Sequence, residues 1–132
     1  MLTEVIQIKS ALGLKVFSSK QLDADKFIKM LLQCMDNNQA LFYTFDFVIA
    51  DLSNVIEHDL SIDNFVEFTQ KVQHHEKQFS NSLLLSVAVK NNELYRLFTS
   101  WKEMHFGSKS LQSGIFRDIE RATQWTEMKF KY

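Results

Sequence analysis

Polar side chains that follow predicted strands are the first candidates for chemistry in this chain. In open α/β sheets, ligand sites gather beyond the carboxyl ends of the strands. Five polar residues fall at such ends: Asp51, Ser53, Asn91, Asn92 and Asp118. Each can cap a helix or close a turn, because its side chain accepts hydrogen bonds from free backbone N–H groups. Together they can instead form a binding edge for a partner or a small anion, and the sequence leaves both interpretations open.

The four histidines do not predict a metal site. His74 and His75 are neighbours, so on a helix their side chains diverge by about 100°. A zinc site needs three or four converging ligands. The loop that contains Glu57, His58 and Asp59 offers only a weak alternative. We therefore expect no bound metal.

The chain lacks the motifs that nucleotide-binding and hydrolytic enzymes use. Its three glycines are too far apart to form a phosphate-binding loop, and no Gly-x-Ser-x-Gly nucleophile motif is present. The single cysteine, Cys34, lies in an apolar helical pattern that predicts a small buried or half-buried side chain. We expect a protein that is not an enzyme and holds no cofactor. In an enzyme, Asp51 and His58 would be the pair to inspect.

Composition and charge exclude several classes of partner. The chain has 15 Lys and Arg against 16 Asp and Glu, with no basic stripe, so we expect no nucleic-acid binding. No apolar stretch reaches the roughly 18 residues of a membrane span, and the first residues do not resemble a signal peptide. We expect one cytoplasmic domain over residues 1–132, without membrane insertion.

Hydrophobic spacing predicts the element order β-β-α-β-α-β-α-β-α. Runs at 3–10 and 14–17 predict an antiparallel hairpin, with Gly13 between its two strands. Apolar runs at 45–52 and 83–89 predict buried strands, and the segment 114–116 predicts a further short strand. Helical patterns follow, and Asp23, Ser61, Asn91 and Asp118 stand at their starts. This alternation predicts an α/β fold with a mixed, mostly parallel sheet of about five strands and about four helices.

Helical stripes predict which side chains face the core. In the second helix the predicted inner stripe is Ile62, Phe65, Val66, Thr69, Val72 and Phe79. In the third helix it is Leu94, Leu97, Phe98, Trp101 and Met104. Core packing is the main interpretation of these side chains. In the alternative, Trp101, Met104 and Phe106 form an exposed apolar patch that lines a lipid-like pocket or a dimer interface.

Four stretches carry a resemblance to a known family. They are Val-Ile-Ala-Asp-Leu-Ser-Asn-Val at 48–55, Asp-Leu-Ser at 59–61, the strand at 84–89 that leads to Tyr95, Leu97 and Phe98, and Ile-Phe-Arg-Asp-Ile-Glu-Arg-Ala at 115–122 with Trp125. In this order they resemble STAS-like domains, the group that includes the anti-sigma factor antagonists. Small stand-alone bacterial members are the most similar branch, and the resemblance covers about residues 14–128.

The resemblance implies a regulatory module that binds a protein partner and is not an enzyme. In sigma-regulating members, a serine at the start of the helix after the Asp-ended strand is phosphorylated, which switches partners. Ser61 matches that position, although the family's Asp-Ser-Ser-Gly reads Asp-Leu-Ser-Ile here. The expected contact residues within 51–64 are Asp51, Ser53, Asp59 and Ser61. A homodimer is compatible with this, and a small-molecule or lipid-binding domain with an apolar pocket near the third helix is the alternative.

Overall fold

A five-stranded mixed sheet is the centre of the computed structural model, which describes residues 1–35, 45–74 and 82–130. The strands of this sheet are β1 (Leu2–Ile8), β2 (Ala11–Phe17), β4 (Phe47–Leu52), β6 (Leu83–Val89) and β7 (Leu111–Phe116), and the helices are α1 (Ala24–Met35), α2 (Ile62–His74), α3 (Asn92–Met104) and α4 (Ile119–Lys129). The strands lie in the order β1-β2-β4-β6-β7 across the sheet. The predicted α/β class, with five strands and four helices, is confirmed.

Only β1 runs antiparallel to its neighbour; β2, β4, β6 and β7 pair in parallel. All seven residues of β6 are buried, because helices cover both faces of the sheet at this strand. Two further strands were not predicted. These two-residue segments, β3 (Gln21–Leu22) and β5 (Glu57–His58), pair in parallel as a separate small sheet.

The predicted role of Gly13 is wrong. The hairpin turns at Lys9 and Ser10, where Lys9 has a positive φ of 55°. Gly13 lies inside β2, opposite Ile6 on one side and Phe47 on the other. A Cβ at position 13 would stand 2.2 Å from the Phe47 ring. The glycine is therefore needed for a close approach of two strands, and not for a turn.

The helices divide unequally between the two faces of the sheet. The larger core joins α1, α2 and α3 to one face through Phe27, Phe65, Phe98 and Val87, among others. The smaller core joins α4 to the other face: Ile119, Trp125 and Phe130 pack on Ala11, Phe47, Ile49 and Leu84. Each strand residue therefore contributes to one core or the other according to its alternation along the strand.

The inner face of α2 differs from the predicted stripe. Phe65, Thr69 and Val72 are buried as predicted, but Phe68 joins them while Ile62 and Val66 are exposed. The two phenylalanines turn the helix so that both pack against α3, where Phe65 stacks on Trp101 at 4.8 Å and Phe68 meets it edge-on at 5.4 Å. The prediction for Phe79 lies outside the described residues.

Candidate functional site

The four helices in the described residues begin at the same edge of the sheet, which we call the carboxyl rim. It comprises the connections that leave the carboxyl ends of β2, β4, β6 and β7 and enter α1, α2, α3 and α4. The 51–64 segment lies on this rim, between the end of β4 and the first turn of α2. The structure therefore brings the polar residues predicted at strand ends to one side of the molecule, as expected for an open α/β sheet.

Asp51 and Ser53 shape the turn that leaves β4. The Asp51 carboxylate accepts a hydrogen bond from the Ser53 backbone N–H at 3.1 Å. The Asp51 backbone carbonyl accepts the Ser18 N–H at 3.2 Å, which ties the same turn to the end of β2. Both Asp51 and Ser53 are half-buried. These contacts make Asp51 an organiser of the turn that leaves β4.

Asp59 caps a helix to which it is not adjacent in sequence. Its Oδ1 accepts the Ala24 N–H at 2.6 Å, and Asp23 accepts the Lys26 N–H of the same first turn at 3.1 Å. Two carboxylates thus face the positive end of α1, where unpaired N–H groups and the helix dipole both favour negative charge. The sequence predicted the cap at Asp23; the role of Asp59 depends on a contact 35 residues away and could not be predicted from local spacing.

Ser61 and Asn64 cap the start of α2 reciprocally. The Ser61 N–H and hydroxyl donate to Asn64 Oδ1 at 2.8 and 2.9 Å, and the Asn64 N–H approaches the Ser61 Oγ at 3.4 Å. This arrangement is a capping box in which asparagine replaces the usual glutamate or glutamine. Ser61 is exposed, so its hydroxyl is accessible even though it is hydrogen-bonded.

The rest of the rim is fixed by two more caps and an arginine. Asn91 accepts the Leu94 N–H at 2.9 Å, and Asp118 accepts the Arg121 N–H at 2.8 Å. Arg117 lies over the Tyr95 ring at 3.8 Å and donates to Asn92 Oδ1 at 3.0 Å. The positions at strand ends predicted the caps and Asn92. They did not predict Arg117, because the partners of Arg117 belong to a different helix.

Asp51 and His58, the pair to inspect in an enzyme, have different partners. His58 Nε2 lies 3.4 Å from Glu93 Oε1, and the His58 side chain is only 5% exposed. This contact connects β5 to the first turn of α3, while the Asp51 carboxylate holds the Ser53 N–H instead. The structure therefore does not bring these two residues together as a catalytic pair. No cluster of three His, Cys, Asp or Glu side chains that could hold a metal occurs in the described part of the chain.

Exposed apolar side chains lie among these capped turns. Ile56 is 63% exposed and Ile62 is 38% exposed, and Val66 follows Ile62 one helical turn later with a similar exposure. A hydrogen bond fixes the backbone at Ile56, because the Ile56 N–H donates to the Lys20 carbonyl at 2.8 Å. The 51–64 segment therefore presents apolar side chains from a backbone that hydrogen bonds keep in place.

The predicted apolar patch on α3 needs correction. Trp101 is fully buried, and its indole N–H donates to Thr69 Oγ1 at 2.9 Å. Only Met104 and Phe106 are exposed, Phe106 to 89%. The interface between α3 and the sheet is filled by Leu94, Phe98 and Trp101. Helical spacing could not predict the position of Phe106, because this residue lies beyond the last turn of α3.

Two titratable groups away from the rim have shifted pKa values: the half-buried Cys34 and the buried His105. Burial raises the pKa of the Cys34 thiol to about 11, which disfavours the reactive thiolate. Burial also lowers the pKa of His105 to about 4. The His105 Nε2 shares a 2.7 Å hydrogen bond with Ser113 Oγ, so the ring is held between the end of α3 and β7.

Acidification is expected to destabilise the protein through His105. Because the pKa is 6.5 in the unfolded chain and about 4 in the folded one, the unfolded state binds the proton first. The contribution of neutral His105 to the free energy of unfolding is fully present above pH 6.5. It falls by on the order of 2 kcal/mol as the pH drops towards 4. Urea denaturation at a series of pH values measures this loss. A His105→Asn variant should lack this component, and an unchanged pH dependence in that variant would contradict the assignment.

No protein-family model matches the chain. No curated protein matches it. Among solved structures, the chain is similar to an uncharacterised protein of the DUF3478 family with a SpoIIAA-like fold, from Shewanella loihica PV-4, with 11% sequence identity and a TM-score of 0.45 over 94% of this chain and 91% of the other. In the described residues, no helix is both long and apolar enough to cross a membrane.

Proposed function

We propose that this protein is a non-enzymatic binding module of the STAS-like type that engages a protein partner through the 51–64 segment. The observation that carries the proposal is the exposure of Ile56 and Ile62 within a segment whose polar side chains are used to hold turns and helix starts. Apolar side chains on a rigid backbone favour docking of another protein surface. A regulatory role in the cytoplasm, without a cofactor, is the setting in which we place this module.

The position of Ser61 makes it the proposed point of regulation. Its hydroxyl is exposed and lies at the N-terminus of α2, beside the apolar side chain of Ile62. A phosphate there would meet free backbone N–H groups and the positive end of the helix dipole. It would also add nearly two negative charges next to the proposed docking surface. We expect this modification to change partner choice more than stability.

Site-specific photocrosslinking tests the proposed surface. A benzophenone side chain at position 56 or 62 is expected to give a discrete crosslinked species in the native cell. The same group at Gln124, exposed on α4, is expected to give none. The mass of the species distinguishes a second copy of this chain, which would be the proposed homodimer, from a different protein. Equal crosslinking at all three positions, or none at 56 and 62, would contradict the proposal.

Charge substitutions measure how much the apolar contact contributes. Ile56→Asp is expected to weaken binding of the crosslinked partner by about tenfold or more, because it places a charge in a desolvated contact. Met128→Asp is the matched control, since Met128 is also an exposed apolar side chain but lies on α4. Ser61→Glu should shift affinity in the same assay. Equal losses for the 56 and 128 variants would rule out a specific surface.

A further inference from the structure

A second candidate site lies at the opposite edge of the sheet from the carboxyl rim. A cleft of about 540 Å³ opens between the end of α3, the start of β7 and the last turns of α4. We call it the basic cleft and define it by Lys102, His105, Phe106, Lys109, Trp125 and Lys129. Its volume falls in the range of small-molecule sites, roughly 300–1,000 Å³.

Positive charge dominates this cleft. Lys102, Lys109 and Lys129 line it, and none of the described residues that line it is Asp or Glu. These three lysines form no ion pair within residues 1–35, 45–74 and 82–130. In a chain with a net charge of -1, three ammonium groups around one concavity form a local concentration of positive charge that attracts anions.

Lys129 lies in the last turn of α4, where a lysine can have a purely structural role. Such a lysine commonly hydrogen-bonds the final helix carbonyls. Here Lys9 does this instead: its ammonium donates to the carbonyls of Glu127 at 3.1 Å and Phe130 at 2.7 Å. Lys129 lies over the Trp125 ring at 5.2 Å. Its charge is therefore held beside an aromatic wall of the cleft.

Aromatic surface forms the other half of the site. Trp125 packs against Gly114, where an added Cβ would approach the indole to 3.0 Å, and lies 5.6 Å from the Phe116 ring. These contacts fix the indole while leaving it half-exposed. Phe106, 89% exposed, also lines the cleft. A planar ligand could cover both rings and remove this apolar surface from water.

We propose that the basic cleft binds a small aromatic anion, with the ring against Trp125 and Phe106 and the acidic group among Lys102, Lys109 and Lys129. The three ammonium groups select for negative charge, and the aromatic walls select for a flat apolar body. This binding site is independent of the 51–64 segment, because it lies at the opposite ends of the parallel strands.

Titration with 2-naphthalenesulfonate tests the proposal, with 2-naphthalenemethanol as the uncharged comparison. Amide NMR shifts should concentrate at residues 105–113 and 125–129, and the sulfonate should bind more tightly than the alcohol. Lys109→Gln and Lys129→Gln are each expected to weaken sulfonate binding by about two- to fivefold, the size expected for one partly exposed charge. Lys71→Gln, on α2 beside Glu67, is the matched control and should leave affinity unchanged.

A second variant tests the aromatic wall while keeping a smaller aromatic ring at position 125. Trp125→Phe should weaken the sulfonate and the alcohol alike, while thermal unfolding shows whether the fold is intact. Equal affinity for the charged and uncharged probes would overturn the proposal. So would equal weakening by Lys71→Gln, amide shifts elsewhere in the chain, or no saturable binding at millimolar concentrations.

Discussion

Replacing Gly13 with alanine is expected to destabilise the protein by about 3 kcal/mol or more, at or beyond the upper end for an overpacked core. The added Cβ would lie 2.2–2.3 Å from three carbons of the Phe47 ring. That ring is fully buried and packs 5.5 Å from Phe130, so it has little room to withdraw. Urea denaturation monitored by circular dichroism measures the change.

A compensating substitution keeps this prediction specific. Phe47→Leu removes part of the ring volume that the new methyl group would meet. The double variant Gly13→Ala with Phe47→Leu should therefore be no less stable than Phe47→Leu alone. The cost of Gly13→Ala would then be zero or negative when Phe47 is replaced, and a double-mutant cycle measures this difference. If Gly13→Ala costs the same with and without Phe47, the cause is backbone strain and our steric account is wrong.

Truncation of Trp101 to alanine is expected to cost about 3–5 kcal/mol, the range for deleting a large buried aromatic side chain. Trp101 contacts the rings of Phe65, Phe68 and Phe98 at 4.8, 5.4 and 6.1 Å, and its indole N–H donates to Thr69. Removing it would leave a cavity where α2 and α3 meet. Equilibrium denaturation measures the loss.

Phe106→Ala is the control for this truncation. The Phe106 ring is 89% exposed, so its removal should change stability by no more than about 0.5 kcal/mol. Trp101→Phe removes the hydrogen bond to Thr69 and only part of the ring volume, so it should cost less than Trp101→Ala. A similar cost for the substitutions at 101 and 106 would show that Trp101 is not the centre of the core between α2 and α3.

The sequence predicted those elements whose signal is local. The strands at 47–52 and 83–89 are apolar runs that are buried on both faces. The starts of α1, α3 and α4 carry Asp23, Asn91 and Asp118 where the caps were predicted. In each case the physical cause, a covered strand or a free N–H group, acts within a few residues of the side chain that shows it.

The features that the sequence could not predict depend on distant contacts. Gly13 has the local signature of a turn, and only its pairing with β4 shows that it makes room for Phe47. His58 has Asp59 as its neighbour in sequence but Glu93 as its neighbour in space. The basic cleft combines side chains from α3, from the connection between α3 and β7, and from α4, so no single window of sequence contains its pattern.

The attachment of α4 has a consequence for synthesis of the chain. Its side chains cover Phe47, Ile49 and Leu84, and its final carbonyls are held by Lys9, more than a hundred residues earlier. A ribosome therefore releases the first strands long before their cover on that side exists. Until α4 emerges, the nascent chain exposes an apolar surface to solvent. Under this condition chaperones bind and aggregation competes with folding.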